Sequence, residues 1–271
     1  MNSLFNIENK VIVITGGAGV LGGSMAKYLV QNKAKVVILS RNKKSIDKKV
    51  EELQEFSSNV LGFQCDVLNQ VDLESVRSKI LNKWEHVDVL INAAGGNMPG
   101  ATINENQTIF DLDMSDFRKV SELNLDGSVI PSLVFGKMMG EQGFGSIVNI
   151  SSMASISAIT RVVGYSTSKA AIDIFTKWMA TEMALKFSDK IRVNAIAPGF
   201  FIGNQNRALL TNSDGTYTDR GKTIVNNTPM KRFGNTDELN GAVHWLISDA
   251  STFVTGAIIP IDGGFSAFSG V

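Results

Sequence analysis

Short runs of β-branched and other apolar residues alternate along the whole chain with longer amphipathic stretches, and few folds accommodate that rhythm. The spacing predicts strands over residues 10–15, 35–40, 60–66, 87–92, 146–151, 190–197 and 257–261. Helix-length segments over 21–31, 44–55, 71–84, 114–139, 165–186 and 237–247 lie between them. Such alternation builds right-handed βαβ units around a parallel sheet. The strands are apolar at consecutive rather than alternate positions, as expected when helices cover both faces. No repeat, low-complexity tract or Pro/Gly-rich linker divides the chain, so residues 1–271 are expected to form a single domain. One segment, 203–234, breaks the rhythm: it is polar, rich in asparagine and lacks a clear strand. A stretch of that length inside a compact domain reads as a lid over a binding site.

With 271 residues, 44% of them hydrophobic and 19% charged, the chain has ample material for one such core. The 26 basic and 26 acidic residues cancel, leaving no electrostatic footprint for nucleic acid or an anionic membrane. No apolar run approaches the ~20 residues that span a bilayer, and the first ten residues lack the pattern of a secretory signal. A soluble, cytoplasmic protein is expected. Cys65 is the single cysteine, so no internal disulfide can form, and its neighbours read as a strand that buries the thiol. With only His86 and His244 beside it, a zinc centre of the usual nitrogen and sulfur ligands cannot be assembled, and no metal is expected.

The first predicted strand runs into Gly16-Gly17-Ala18-Gly19-Val20-Leu21-Gly22-Gly23 and then a helix. Glycines at such a turn let the backbone approach a pyrophosphate, and the helix start offers unpaired N–H groups and a positive dipole end. Gly17, Gly19 and Gly22 spell G-x-G-x-x-G. In isolation that spelling marks a glycine turn; between the first strand and first helix it indicates dinucleotide binding. Ser40 and Arg41 close the second strand, with Lys43 and Lys44 just beyond. A carboxylate there would accept from a ribose 2′-hydroxyl, whereas an arginine would pair with a 2′-phosphate. The basic set leans towards NADP, although Arg41 stacked on adenine or left in solvent also fits.

Tyr165 and Lys169 stand one helical turn apart, so they share a helix face. An isolated phenol, with a pKa near ~10, exchanges protons poorly at neutral pH. A neighbouring ammonium, joined by the positive charge of an oxidised nicotinamide, is expected to favour the phenolate and lower that pKa. The strand 146–151 ends near Ser152 on the carboxyl edge of the sheet, where ligands sit in open α/β folds. The stretch from Ser152 to Tyr165 is long enough for one loop to bring hydroxyl and phenol over one substrate oxygen. There Ser152 would hydrogen-bond a developing alkoxide. Alone, Ser152 would read as a cap on the strand end; beside Tyr165 and Lys169 it reads as catalytic.

Taken jointly, in order and spacing, several motifs resemble the short-chain dehydrogenase/reductase family from Lys10 to Gly264. They are Thr15-Gly16 with Gly22, Cys65-Asp66-Val67, Asn92-Ala93-Ala94-Gly95, Leu123-Asn124-Leu125, Ser152, Tyr165 with Lys169, Asn194 through Pro198-Gly199, and Asp262-Gly263-Gly264. The resemblance implies an α/β, Rossmann-type doubly wound parallel sheet of about seven strands. It implies hydride transfer between NAD or NADP and a carbonyl or alcohol carbon, in a homotetramer built on the helices over 114–139 and 165–186. Asn124, Ser152, Tyr165 and Lys169 would be catalytic, with Asn124 helping a water chain link Lys169 to solvent. Gly16, Gly19, Val20, Leu21 and Gly22 would hold the cofactor phosphates, Ser40 and Arg41 its adenosine ribose, and Asp66, beside Val67, the adenine. Asn92, Ala93, Ala94 and Gly95 would support the cofactor, Pro198, Gly199 and Ile202 would meet its nicotinamide end, and Tyr165 with Lys169 the nicotinamide ribose. The chain departs from the family at Val20, where a glycine is usual, and after Gly199, where Ile202 or Asn204 replaces a usual threonine.

Gly95-Gly96-Asn97 and the segments over 200–207 and 228–234 resemble the subset of that family that oxidises D-mannonate and reduces D-fructuronate. The usual cofactor of that subset is NAD, against the lean of Arg41. Asn97, Ser152, Arg161, Asn204 and Arg207 would then surround a sugar acid, amides meeting its hydroxyls and an arginine its carboxylate. Each arginine also reads as a solvated charge, and the asparagines as turn formers. Another reductase, such as a gluconate 5-dehydrogenase or a 3-oxoacyl reductase, is the alternative within the class. A dinucleotide-binding sensor without turnover is the alternative outside it.

Overall fold

The computed structural model describes residues 3–203 and 207–270, so Asn204 lies outside the described residues. Seven strands form one sheet: β1 Val11–Thr15, β2 Lys35–Ser40, β3 Val60–Gln64, β4 Val89–Asn92, β5 Gly145–Ile150, β6 Ile191–Pro198 and β7 Ile258–Ile261. All pair in parallel, in the order β3-β2-β1-β4-β5-β6-β7. The order reverses direction between β1 and β4, and that switch opens a crevice beyond their carboxyl ends.

The consecutive apolar residues of the strands serve two cores. Ile12, Ile14, Val36, Ile38 and Val148 pack on one face with Met25 and Leu29 of α1 (Val20–Gln31), Ile46 of α2 (Lys43–Gln54) and Val243 of α9 (Asn240–Ile247). Val11, Val13, Val37, Leu39 and Ile147 pack on the other with Leu73 of α3 (Gln70–Trp84), Phe135 of α5 (Gly127–Gln142) and Met179 of α6 (Val163–Lys186). Each fully buried aliphatic side chain contributes about 1.5–3 kcal/mol, so the two layers hold the sheet and its carboxyl edge rigid. Cys65 is buried just past β3, where burial and the nearby Asp72 and Asp66 push its thiol up to about 12.

The expectation of one helix over 114–139 is corrected. The chain forms α4 (Met114–Ser121), a π-helical turn over Glu122–Asp126, and then α5. The extra residue of a π turn rotates what it carries, and Asn124 sits inside it. The segment 237–247 begins as a 3₁₀ turn, Thr236–Leu239, held by a capping box between Asn235 and Glu238. Among the described residues of 203–234 lie two helices, α7 (Arg207–Leu210) and α8 (Asp219–Asn227). Leu210, Ile224 and Phe233 give this segment a small core of its own. Leu133 on α5 and Ile174, Trp178 and Leu185 on α6 are exposed apolar side chains. Among the described residues, no helix is long and apolar enough to cross a membrane.

Candidate active site

The carboxyl end of β1 and the start of α1 form a cradle made of backbone. Gly16 has φ +66°, and a Cβ there would lie 2.7 Å from the Ala93 carbonyl oxygen. A Cβ on Gly22 would come 2.5 Å from the Gly16 oxygen. Across the switch, the Thr15 hydroxyl accepts from the Ala93 and Ala94 amides, both at 3.1 Å, tying the loop after β4 to the glycine turn. Asn42 and Asn69 cap α2 and α3 with their side chains, but the cap of α1 is Gly19, which has no side chain to offer. The first amides of α1 are thereby left for an anion. This donor set fits the pyrophosphate of a dinucleotide. Val20, the departure from the family glycine, starts the helix with an exposed side chain, and a Cβ on Gly203 would meet it at 3.6 Å. The segment after Gly199, with Ile202, therefore stands over the helix start.

At the opposite end of the crevice, Ser40 is half-buried and Arg41 exposed. The Arg41 carbonyl accepts from Gln64 at 2.9 Å. Asp66 accepts from the Leu68 amide at 3.1 Å, and Val67 is buried beside it. The Asn92 side chain is buried and donates to Ser132 and Asn149, both at 2.8 Å, and to the Ser128 carbonyl. It braces the frame under Ala93 and Ala94 and presents no surface of its own.

Ser152, Tyr165 and Lys169 come together where β5 ends and α6 begins. The Ser152 hydroxyl lies beside the Tyr165 phenol and accepts from the Ala154 amide at 3.1 Å. Lys169 is buried, donates to the Ile150 carbonyl at 2.7 Å, and lies 5.5 Å from the centre of the Tyr165 ring. The Asn124 side chain donates to the Gly96 carbonyl at 2.7 Å and accepts from the Gly96 amide at 3.1 Å. The π turn thus fixes the loop that carries Gly95, where a Cβ would lie 2.7 Å from Asn124 Oδ1 and 3.4 Å from Lys169 Nζ.

The electrostatics correct one expectation. Burial pushes the Tyr165 phenol up, and the neighbouring Ser152 hydroxyl only opposes this. Burial also holds the Lys169 ammonium down to about 8, against the pull of Asp173 one turn further along α6. Removal from water therefore outweighs the lysine's attraction for a phenolate. At neutral pH the phenol keeps its proton and Lys169 is mostly charged, which is the state that can give a proton to a nascent alkoxide.

Asp173 escaped the sequence reading, although its i+4 spacing from Lys169 was the available signal. Its carboxylate accepts from the Ser151 hydroxyl, which anchors it below the site. The Asp173→Asn variant removes the charge that holds the Lys169 proton. The expected result is that the high-pH fall in kcat/KM for carbonyl reduction, near pH 8 with Asp173 present, moves to lower pH. Activity lost at mildly alkaline pH is then regained on acidification. A pH–rate profile that superimposes on that of the native chain would contradict the coupling.

Of the expected substrate residues, Asn97 donates to Thr102 at 2.7 Å while its Oδ1 is buried without a partner among the described residues. Arg161 lies on the loop between Ser152 and Tyr165 and pairs with Glu105 at 2.8 Å. Arg207 is exposed on α7. Arg220 on α8 reaches the same loop, and no periodicity or motif in the sequence pointed to it.

A family model described as enoyl-(acyl carrier protein) reductase matches residues 17–266. An uncharacterized oxidoreductase of Bacillus subtilis is 42% identical over 275 residues, covering 98% of each chain. A 2-dehydro-3-deoxy-D-gluconate 5-dehydrogenase of Formosa agariphila is 31% identical over 268 residues, covering 98% of this chain and 96% of that protein. A solved structure from Haemophilus influenzae, provisionally named a D-mannonate oxidoreductase and holding bound NAD, superimposes with a TM-score of 0.90 at 44% identity, covering 98% of both chains. With a glycine cradle at the switch point and a Ser–Tyr–Lys cluster on the neighbouring strand end, this chain belongs to the short-chain dehydrogenase/reductase family.

Proposed function

We propose that this oxidoreductase interconverts a keto sugar acid and its alcohol, D-fructuronate and D-mannonate, with a nicotinamide dinucleotide. The observation that carries the reaction type is the Ser152 hydroxyl beside the Tyr165 phenol, with the buried Lys169 ammonium against the same ring. The substrate class draws on the unpartnered Asn97 oxygen, which suits a sugar hydroxyl, and on the arginines flanking the loop after Ser152. The likeness to proteins named for mannonate and deoxygluconate chemistry supports the same class.

The bound dinucleotide supplies or takes the hydride. The protein does the rest. The backbone cradle of Gly16, Gly19 and Gly22 with the α1 amides would hold the pyrophosphate, and Lys169 with Tyr165 the nicotinamide ribose. Ser152 and Tyr165 grip the carbonyl oxygen with two hydroxyl donors, which orients it and stabilises charge as it develops. Tyr165 passes its proton to that oxygen, and the Lys169 cation steadies the phenolate left behind. Asn124 keeps the Gly95–Gly96 loop from filling the space. The helices α7 and α8 would act as the lid over the bound sugar.

Arg41 would stack on an adenine or pair with a 2′-phosphate. Initial rates with D-fructuronate and each reduced nicotinamide test both readings together. The expected result is saturable turnover to D-mannonate, with the better cofactor fixing the role of Arg41. Absence of turnover with fructuronate and either cofactor would end the substrate assignment.

A further inference from the structure

Two arginines from distant parts of the chain, one of them paired with a carboxylate, meet at the loop that joins Ser152 to Tyr165. Arg161 belongs to the loop that starts at Ser152 and ends at Tyr165. Its backbone is left-handed, with φ +77°, a conformation costly for a residue with a Cβ. The Ile103 amide holds it there by donating to its carbonyl at 3.0 Å. The guanidinium pairs with Glu105 at 2.8 Å, its side chain 22% exposed against 86% for the glutamate. Arg220 comes from the first turn of α8 and donates to the Thr160 hydroxyl, next to Arg161, at 3.5 Å.

Among the described residues, no carboxylate lies within ion-pair distance of Arg220. Burial and the neighbouring Arg161 cation both push its guanidinium below the ordinary value, and Glu105 opposes them only in part. A cation in the first turn of a helix also meets the positive end of the helix dipole, which is the unfavourable end. Asp219, beside it, is fully exposed and pairs with Lys222. The corner therefore holds two forks of planar donors and one negative charge. One further negative charge would neutralise it.

We infer that Arg220 and Arg161 together form the seat of the substrate carboxylate, which bridges the α8 lid to the loop between Ser152 and Tyr165. A carboxylate matches both the planarity of the two forks and the single missing charge. A phosphoryl dianion would overshoot that balance. In this arrangement the acid end of the sugar ties the lid helix to the segment carrying the proton donor. Charge recognition and closure then become one event. Arg207, exposed on α7, has no part in it. The inference rests on the sugar-acid reading above and deepens it.

Steady-state oxidation of D-mannonate and of its uncharged amide, D-mannonamide, tests the seat in native enzyme, in Arg220→Met and in Arg161→Asn. Asparagine is chosen because it tolerates a left-handed backbone. In native enzyme kcat/KM is expected to favour the acid over the amide. Either substitution is expected to lower kcat/KM for the acid roughly 10- to 100-fold, through KM, and to leave the amide nearly unchanged. The amide rate also reports that each variant is folded. Arg220→Lys, which keeps the charge and loses the fork, should recover part of the preference. A native enzyme that prefers the acid and an Arg220→Met variant that prefers it equally would overturn the seat alone. A native enzyme inert towards D-mannonate would overturn the substrate assignment, and the seat with it.

Discussion

Replacing Tyr165 with Phe is expected to lower kcat by roughly 10²- to 10⁴-fold, the usual contribution of a positioned proton donor. The ring is half-buried and keeps its packing while the hydroxyl beside Ser152 is removed. The Ser152 hydroxyl still accepts from Ala154 and keeps its place at the end of β5. Lys169 keeps its bond to the Ile150 carbonyl, so the part of the site that would hold the nicotinamide ribose persists. Dissociation constants for the reduced cofactor, measured by fluorescence titration, should therefore stay within a few-fold of native. A variant that retains more than a tenth of native turnover would remove Tyr165 from the proton-donor role. Loss of cofactor binding in parallel would show instead that the hydroxyl is structural.

Gly22→Ala should do the converse, losing the cofactor before the chemistry. The added methyl would come within 2.5 Å of the Gly16 oxygen, 3.0 Å of its carbon and 3.1 Å of Gly17 Cα, all backbone atoms. Gly16 cannot yield, because its own position is fixed by its positive φ and by the close approach of Ala93. Either the turn or the start of α1 must move, at a cost of about 2 kcal/mol or more. We expect the dissociation constant for the dinucleotide to rise at least roughly thirtyfold, read by isothermal calorimetry, with a lower melting temperature. Gly19→Ala is the control. There the methyl meets only the Gly16 oxygen, at 3.1 Å, and a much smaller effect is expected. Equal, small effects at both glycines would mean that the turn is not the phosphate cradle.

The doubly wound sheet was legible in the sequence because both faces of the central strands β1, β4, β5 and β6 are buried, which leaves consecutive β-branched residues at positions such as Val11 to Ile14. The glycine turn, Ser152, Tyr165 and Lys169 were legible because they are local in sequence or sit at strand and helix ends. What escaped depends on packing between distant segments. The π turn around Asn124 has no propensity signature and is imposed by the loop it must reach at Gly96. The direction of the Tyr165 shift follows from burial, and a sequence pattern gives the lysine neighbour without the depth. Arg220 meets the loop at Thr160 across sixty residues of chain, a contact fixed only by the docking of α8.

A crystal structure of the enzyme with oxidised cofactor and D-mannonate would show which groups hold the reacting oxygen. The Tyr165 and Ser152 hydroxyl oxygens are both expected about 2.6–3.2 Å from the same substrate oxygen, with Lys169 beneath the phenol. A complex competent for turnover in which that oxygen is held by other side chains, out of reach of Tyr165, would contradict it.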